Sequence, residues 1–528
     1  MVVVGGGIVG AGAARDAALR GLSCLLLERG DWASGTTGRA AGVMHGGLRF
    51  ARQRKLHLAL ECTRERDILL QMAPHLIQPL PVVLPFWDKG RVGLWRVRMG
   101  FRLFDLLSMG RGTPHHDLLG PRDALRRVPA LRADGLSGAG LFYDSQVLLP
   151  HRLVMEHVLS AREYGAACLN YHELTAVRKT DRGFELEVRN HLSGETVGFE
   201  TRSLLNAAGA WADEVGERVR PGWRPRVRNL KGCQVWIDTD LEAAVWAEVD
   251  PAEPPLLVLP RDGPAVAGWV QSPWDGDPAG VRPEPSDVER LAGRIREVLP
   301  GALARRGALL RAEAGVWAVP RSREPGTLAS LPCVRGVEED LATPGFFTLL
   351  GGNLTLFRRL AEEGVDAACR HLGHKVPSST DRVPLFGGGF RDRVIFRENL
   401  VECTERIPNL PRPVVDHLVG LYGRKCCEVI ELGIEREEWR DKVAPGCPDY
   451  RVQVIYAVRR EDARHLDDVL LRRLRVSLGP DRGLGAAEPV ARLMAGELGW
   501  DEATVRAEVE RFREIVEREM APVREVEA

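Results

Sequence analysis

The chain has 528 residues, of which 44% are hydrophobic and 28% are charged, as is typical of a folded protein with about two to four domains. Lys plus Arg and Asp plus Glu each number 73, so the net charge gives no indication of a nucleic-acid partner. No run of about twenty apolar residues occurs, so no segment is expected to span a bilayer. The ten cysteines are scattered along the chain, which predicts reduced thiols in a cytoplasmic protein.

The first predicted elements are a strand and a glycine-rich turn. Residues 1–4 form a short β-branched run that stops at Gly5-Gly6-Gly7-Ile8-Val9-Gly10, a G-x-G-x-x-G pattern. Gly5 permits the tight turn, and Gly7 lets the backbone approach a pyrophosphate. Gly10 allows the following helix to pack closely on the strand.

A helix and a second strand complete this unit. The helix is predicted over residues 11–20, and a continuously apolar run over residues 23–27 predicts a buried parallel strand. Glu28 ends that strand, where a carboxylate can bond the ribose hydroxyls of a dinucleotide. The order strand, turn, helix, strand and acid predicts a dinucleotide site.

The segment from Gly35 to Arg49 favours FAD over NAD as the dinucleotide. Its glycines and hydroxyl side chains would let a loop lie against a pyrophosphate and a flavin ring while donating hydrogen bonds. Taken alone, such a segment is also compatible with a flexible surface loop.

Two later segments repeat the order of strand, glycine turn and helix. Residues 203–207 predict a strand before Ala208-Gly209-Ala210-Trp211, and residues 346–350 predict one before Gly351-Gly352-Asn353-Leu354-Thr355. A glycine turn allows a cofactor to approach the backbone, although it also serves as an ordinary connection. The helix N-terminus after the second turn could stabilise negative charge on a reduced flavin.

Together these stretches resemble the FAD-dependent glycerol-3-phosphate dehydrogenases, within the D-amino-acid-oxidase-like flavoproteins. The matching segments cover essentially the whole chain and include GGGIVGAGAARDAALRGL, GTTGRAAGVMHGGLRFA, RNHLSGET, LLNAAGAWADEVGE and GFFTLLGGNLTLFRRLAEEGVDAACRHLG. The resemblance implies an α/β fold in which a Rossmann-like FAD-binding domain is interleaved with a mixed-sheet substrate domain. An α-helical C-terminal domain follows.

The resemblance also implies domain boundaries. The oxidoreductase core would span residues 1–380, with an FAD subdomain at about 1–75, 150–215 and 340–375 and a substrate subdomain at about 76–149 and 216–339. The helical domain would span residues 390–528, and its clearest predicted helices cover residues 414–422 and 451–479. We interpret Arg472-Arg473-Leu474-Arg475 as a solvated helix face, with contact to anionic lipid or a partner as the alternative.

The resemblance assigns site residues at two ends of one pocket. FAD would be bound by Gly5, Gly7, Gly10, Glu28, Thr36, Thr37, Arg39, His45, Val177, Ala208, Gly209, Trp211, Gly352, Leu354 and Thr355. The substrate end would contain Arg49, Arg335, Gln234 and Asn353. Arginine side chains suit a phosphate or carboxylate dianion, although in this arginine-rich chain they are also compatible with surface charges.

The sequence departs from the family at the substrate end. Asn353 stands where family members carry lysine, and Trp317 where they carry arginine. Gln234 stands where the single-chain enzymes carry histidine. Trp269 lies in residues 268–271, which replace a glycine-threonine-threonine turn of the family. Hydride transfer requires a base for the hydroxyl proton, and the sequence indicates no convincing one.

The function implied by the resemblance is oxidation of sn-glycerol 3-phosphate to dihydroxyacetone phosphate, with electrons passed to quinone or another acceptor. Two alternatives stay open: oxidation of a different hydroxy or amino compound, and a flavin-retaining protein without turnover. The expected partners are a small anionic substrate and an electron acceptor, without nucleic acid. Contact with the inner face of a membrane and a homo-oligomer also stay open. Residues 451–528 contain no cysteine cluster, which predicts no [2Fe–2S] centre there and no metal site.

Overall fold

The computed structural model describes residues 1–47, 50, 55–87, 116–250, 253–321, 335–390, 396, 398 and 411–528. Arg49 therefore lies outside the described residues, and of Arg335 only the place of its backbone in a strand is described.

The strands of the described residues build three sheets. In chain order they are β1 (Val2–Val4), β2 (Leu25–Leu27), β3 (Val43–Met44), β4 (Ile77–Phe86), β5 (Asp117–Leu119), β6 (Gly138–Val147), β7 (Ala167–Leu169), β8 (His172–Thr180), β9 (Gly183–Asn190), β10 (Thr196–Thr201), β11 (Leu204–Asn206), β12 (Val227–Ile237), β13 (Ala244–Ala247), β14 (Leu256–Pro260), β15 (Ala265–Pro273), β16 (Leu309–Pro320), β17 (Arg335–Glu339) and β18 (Phe346–Gly351).

The first sheet carries the glycine-rich turn. It has the order β17-β18-β11-β1-β2-β7 and is parallel except for the antiparallel β17–β18 pair. The second is the antiparallel sheet β10-β9-β8. The third is a mixed sheet, called the nine-stranded sheet below. Its order is β16-β12-β15-β14-β13-β4-β6-β3, with β5 also paired to β6. These sheets confirm the predicted fold class, while the domain boundaries stay a prediction.

The α-helices of the described residues cover the sheets and build the C-terminal region. They are α1 (Ile8–Leu19), α2 (Leu56–Met72), α3 (Pro121–Arg127), α4 (Pro150–Glu163), α5 (Ala212–Val219), α6 (Pro285–Val298), α7 (Phe357–Leu372), α8 (Arg412–Tyr422), α9 (Cys426–Glu435), α10 (Arg451–Arg460), α11 (Ala487–Leu498) and α12 (Glu502–Glu527). No described helix combines the length and the apolar character needed to cross a bilayer.

Helix α1 lies in the core, and seven of its twelve residues are glycine or alanine, which permits close packing. Ala11, Ala14 and Ala18 are buried, and the helix packs against α4 and α7. A Cβ atom on Gly12 would lie 3.3 Å from the Ala361 side chain, so the two helices approach closely. The helix begins at Ile8 rather than at residue 11, because the glycine turn itself forms its first turn.

The helical C-terminal domain is present, but its second predicted helix is wrong. Residues 451–479 do not form one helix: α10 ends at Arg460, a π-helical segment covers Asp468–Arg473, and a 3₁₀ turn covers Val476–Leu478. Asp462 adopts φ +56°, a left-handed conformation that does not continue an α-helix.

The arginine run in that segment is also not a solvated face. Arg472 and Arg473 are buried against the first sheet's βαβ unit, where both guanidinium groups bind the carboxylate of Asp31. Arg475 makes an exposed ion pair with Asp262. Contact of Arg472 and Arg473 with a lipid surface is therefore excluded, because their charges are neutralised inside the protein.

One described cysteine departs from the reduced state that the sequence predicts. Seven of them are free thiols, but Cys427 is disulfide-bonded, so the prediction of reduced thiols is wrong there.

Candidate active site

The turn after β1 is shaped for close approach of a ligand to the backbone. Gly5 adopts φ +110°, and a Cβ atom on Gly10 would lie 1.9 Å from the Gly5 carbonyl oxygen. Gly7 caps α1 without a side-chain hydrogen bond, and the first turn of that helix carries no acidic residue. The partial positive charge of the helix N-terminus is thus available to an anion such as a pyrophosphate.

Glu28 closes the turn from the other side. Its carboxylate accepts hydrogen bonds from the amides of Gly6 at 2.6 Å and Gly30 at 2.8 Å. Burial raises the pKa of this carboxyl, while the two backbone donors oppose that shift. The side chain is therefore held at the end of β2, where the predicted ribose contact requires it.

The flavin loop, defined as Thr36–Arg39, connects the glycine turn to the nine-stranded sheet. Thr37 Oγ1 accepts a hydrogen bond from the Ile8 amide at 3.2 Å, and the Thr36 hydroxyl donates to the Val316 carbonyl on β16. Arg39 turns toward the C-terminal domain, where its guanidinium lies 2.9 Å from Glu519 Oε1. The loop therefore contacts the N-terminus of α1, the nine-stranded sheet and α12 together.

Further residues assigned to FAD lie around the same turn. Val177 on β8 packs against the cluster that contains Val4 and Leu27. The turn after β11 has Gly209 at φ +55°, and the buried indole N–H of Trp211 has no hydrogen-bond partner among the described residues. A buried unpaired donor beside a glycine turn fits a site completed by a polar cofactor.

Arg29 is a residue of this region that the sequence did not indicate. Its guanidinium lies 4.5 Å from the centre of the Trp211 ring. The one signal that could have found it is its place directly after Glu28. The glycine turn, the helix N-terminus, Glu28 and the unpaired Trp211 donor together fit FAD.

The turn after β18 meets the segment that follows the flavin loop. Gly352 adopts φ +90°, Leu354 packs on the core, and the Thr355 hydroxyl accepts a hydrogen bond from the His45 amide at 3.0 Å. Asn353 Nδ2 lies 2.8 Å from His45 Nε2. The structure thus brings together His45 and Asn353, which the sequence assigned to cofactor and substrate respectively.

Backbone contacts orient the side-chain amide of Asn353 toward His45. Asn353 Oδ1 accepts from the amides of Thr355 at 3.0 Å and Leu356 at 2.8 Å, so the other amide atom that faces His45 must be nitrogen. An N–H donor requires a lone pair on His45 Nε2. This geometry fits the tautomer of His45 that carries its proton on Nδ1.

One face of the nine-stranded sheet lies opposite the flavin loop. Gly315 sits against Arg39, since a Cβ atom on this glycine would lie 2.7 Å from the arginine Cβ. Glu313 and Trp317 follow on the same face of β16, and Gln234 is the neighbour of Glu313 on β12. Trp317 carries a buried indole N–H without a partner among the described residues.

Lys231 lies on the opposite face of that sheet. Its Nζ is 2.8 Å from Asp287 on α6, and the adjacent inward-facing Cys233 packs in the α6 cluster. The structure therefore places Lys231 and Gln234 on opposite faces of the sheet. Within the described residues, no cluster of histidine, cysteine, aspartate and glutamate is arranged to hold a metal ion.

Comparison with known proteins gives two family matches. Residues 1–355 match the family "FAD dependent oxidoreductase", and residues 378–505 match the "C-terminal domain of alpha-glycerophosphate oxidase".

Two glycerol-3-phosphate dehydrogenases and one solved structure match along nearly the whole chain. A glycerol-3-phosphate dehydrogenase of Synechocystis is 29% identical over 541 residues, covering 99% of this chain and 97% of the relative. Glycerol-3-phosphate dehydrogenase 2 of Mycobacterium bovis is 30% identical over 531 residues, covering 98% and 88%. The crystal structure of the glycerol-3-phosphate dehydrogenase from Bacillus halodurans complexed with FAD superposes with a TM-score of 0.79 at 23% identity, covering 99% of this chain and 95% of that one.

Proposed function

Because this chain belongs to the FAD-dependent oxidoreductase family, and within it to the glycerol-3-phosphate dehydrogenases, we propose that it oxidises sn-glycerol 3-phosphate to dihydroxyacetone phosphate. FAD supplies the ring that accepts the hydride from the substrate carbon. The observation that carries the proposal is that the flavin loop contacts both the glycine turn at the start of α1 and one face of β16 in the nine-stranded sheet.

We propose that Arg49 and Arg335 hold the anionic group of the substrate. Arg49 follows His45 by four residues, and Arg335 pairs in register with Gly351 at the start of the glycine turn. Arg49 is therefore near the site in sequence, and Arg335 is near it in strand register. A guanidinium group can bind a phosphate with two parallel hydrogen bonds.

The substrate hydroxyl must also lose a proton, and two candidates are poorly placed to take it. The lone pair of His45 Nε2 already accepts from Asn353, and Lys231 is paired with Asp287 on the other face of the sheet. We therefore propose that neither side chain is the base, and that His45 instead holds the segment after the flavin loop against the Asn353 turn.

The test compares Arg49→Ala and Arg335→Ala with wild type by anaerobic flavin reduction. Loss of one charge-assisted contact costs about 1.5–3 kcal/mol, which is roughly a ten- to two-hundred-fold rise in the apparent Michaelis constant. FAD content should stay normal. Arg492→Ala serves as the control, because Arg492 is an exposed arginine that pairs with Glu488 and Glu502 on the C-terminal helices. Full-rate reduction of both site variants at every substrate concentration would refute the anion site.

We further propose that a quinone reoxidises the flavin. The test is rapid mixing of substrate-reduced protein with a soluble short-chain quinone or with dioxygen in separate experiments. Faster reoxidation by the quinone at equal concentration is expected, and faster reoxidation by dioxygen would identify an oxidase instead.

A second candidate is oxidation of a different hydroxy or amino compound. It is favoured by Trp317 and Asn353, which replace an arginine and a lysine of the family, and by the engagement of Asn353 with His45. A screen of polyol phosphates, hydroxy acids and amines for flavin bleaching separates the two candidates. If the pocket descends from phosphate recognition, Trp317→Arg with Asn353→Lys should lower the Michaelis constant for glycerol 3-phosphate.

A further inference from the structure

Gln234 presents a buried hydrogen-bond acceptor that no described residue uses. Its side chain is 5% exposed and lies on the face of the nine-stranded sheet that Gly315 presents to the flavin loop. The amide nitrogen Nε2 donates to Glu313 Oε2 at 3.0 Å. The amide oxygen Oε1 is buried and has no partner in the part of the chain that the structure describes.

Charges around Glu313 fix which end of this amide faces outward. Burial opposes ionisation of Glu313, but Arg482 and Arg311 beside it lower the pKa of its carboxyl to about 2. An ionised carboxylate only accepts hydrogen bonds, so it must face the amide nitrogen. The oxygen of Gln234 is therefore held away from Glu313 and cannot exchange places with the nitrogen.

The charge on Glu313 depends on the C-terminal domain. Arg482 lies 2.9 Å from Glu313 Oε1 and 3.0 Å from Glu519 Oε2 on α12. Glu519 in turn binds Arg39 of the flavin loop. One chain of ion pairs, buried except at Arg39, thus joins the flavin loop, the C-terminal domain and the residue that orients Gln234.

We propose that Gln234 Oε1 accepts a hydrogen bond from the substrate hydroxyl that is oxidised, and that Glu313 is the positioning residue that aims it. This inference rests on the proposed function. A buried acceptor without a partner is unfavourable, so binding of a hydroxyl donor there is favoured. In the ketone product the oxygen on the oxidised carbon carries no hydrogen and cannot donate to Gln234. Gln234 should therefore favour the alcohol over the ketone.

The experiment uses the FAD-containing protein with Gln234→Met, a substitution close in volume, and Gln234→Leu as a second variant. Loss of one buried hydrogen bond should lower kcat/KM for glycerol 3-phosphate about 5- to 150-fold. Binding of dihydroxyacetone phosphate, followed through the flavin absorbance, should change less than twofold. FAD content and the thermal midpoint report whether each variant is folded.

A double-mutant cycle tests the positioning role. If Glu313 acts through Gln234, the variant that combines Glu313→Gln with Gln234→Met should have the kcat/KM of Gln234→Met alone. A merely structural role would make the two losses multiply.

Besides multiplying losses in that cycle, three results would overturn the inference. The first is a kcat/KM within twofold of wild type for both Gln234 variants, and the second is an equal loss of product affinity. The third is a wild-type flavin that glycerol 3-phosphate does not reduce, which would refute the proposed function as well. The first two leave the proposed function intact.

Discussion

Replacing Asp31 with asparagine should weaken the interface between the C-terminal domain and the βαβ unit of the first sheet. Asp31 is 2% exposed, and its two oxygens bind Arg473 at 2.8 and 2.9 Å. Arg472 Nε adds a third contact at 2.6 Å. Asparagine keeps the shape of the side chain but removes its charge and replaces one acceptor by a donor that faces a guanidinium group.

The size of the effect follows from what the two arginines retain. Arg472 keeps Asp467 and Asp468, but Arg473 keeps only Glu461 as a carboxylate partner among the described residues, at 3.6 Å. Removing one partner of a buried ion pair costs about 3–5 kcal/mol. At 1.4 kcal/mol per tenfold change, the population with an open interface should rise about 100- to 4000-fold.

The assay is hydrogen exchange followed by mass spectrometry over residues 468–478, because local opening exposes these amides. Glu488→Gln is the control, since its ion pair with Arg492 is exposed and such pairs contribute about 0–1 kcal/mol. Arg473→Met added to the Asp31 variant should restore much of the protection by removing the unpaired charge. Less than a tenfold change in exchange for the Asp31 variant would refute the reasoning.

Three further predictions concern the cofactor turn, the His45 segment and the pH dependence of stability. Gly10→Ala should yield colourless protein without FAD, because the new methyl group would lie 1.9 Å from the carbonyl oxygen of the first glycine; Gly280→Ala, with open space at its Cβ, should stay yellow. Asn353→Ala should lower the free energy of unfolding by about 0.5–2 kcal/mol in urea titrations through loss of two amide contacts, and it should change the ring signals of the neighbouring histidine in NMR. The hydrogen bond to Glu508 raises the pKa of His465, so this pair should stabilise the fold fully below the ordinary histidine value of 6.5 and lose that contribution as pH rises through the raised value. His465→Gln should abolish this part of the urea-midpoint change with pH, and an unchanged profile would contradict the assignment.

The sequence predicted the cofactor unit well because local chemistry determines it. Glycines at three positions of one turn, an acid at the end of the second strand and small residues on the helix leave few alternatives for residues 1–28. The strands before the two later glycine turns are confirmed for the same reason.

The sequence could not predict contacts between distant charged residues. Arg472 and Arg473 have the composition of a solvated helix face, and only the folded chain brings Asp31, 442 residues before Arg473, to them. Glu519 likewise meets Arg39 across 480 residues. Asn353 was predicted at the substrate end, but its hydrogen bonds to the amides of Thr355 and Leu356 depend on the backbone path of the turn.

The strand order of the first sheet has a consequence for biosynthesis. β1 lies beside β11, and β11 lies beside β18, so the second residue of the chain depends on strands that end at Asn206 and Gly351. Contacts between residues so far apart in sequence form slowly. Until they form, the unpaired strand edges are prone to aggregation. During translation the N-terminal unit therefore leaves the ribosome long before its neighbours exist. We expect the nascent chain to need protection by chaperones until β18 has been synthesised.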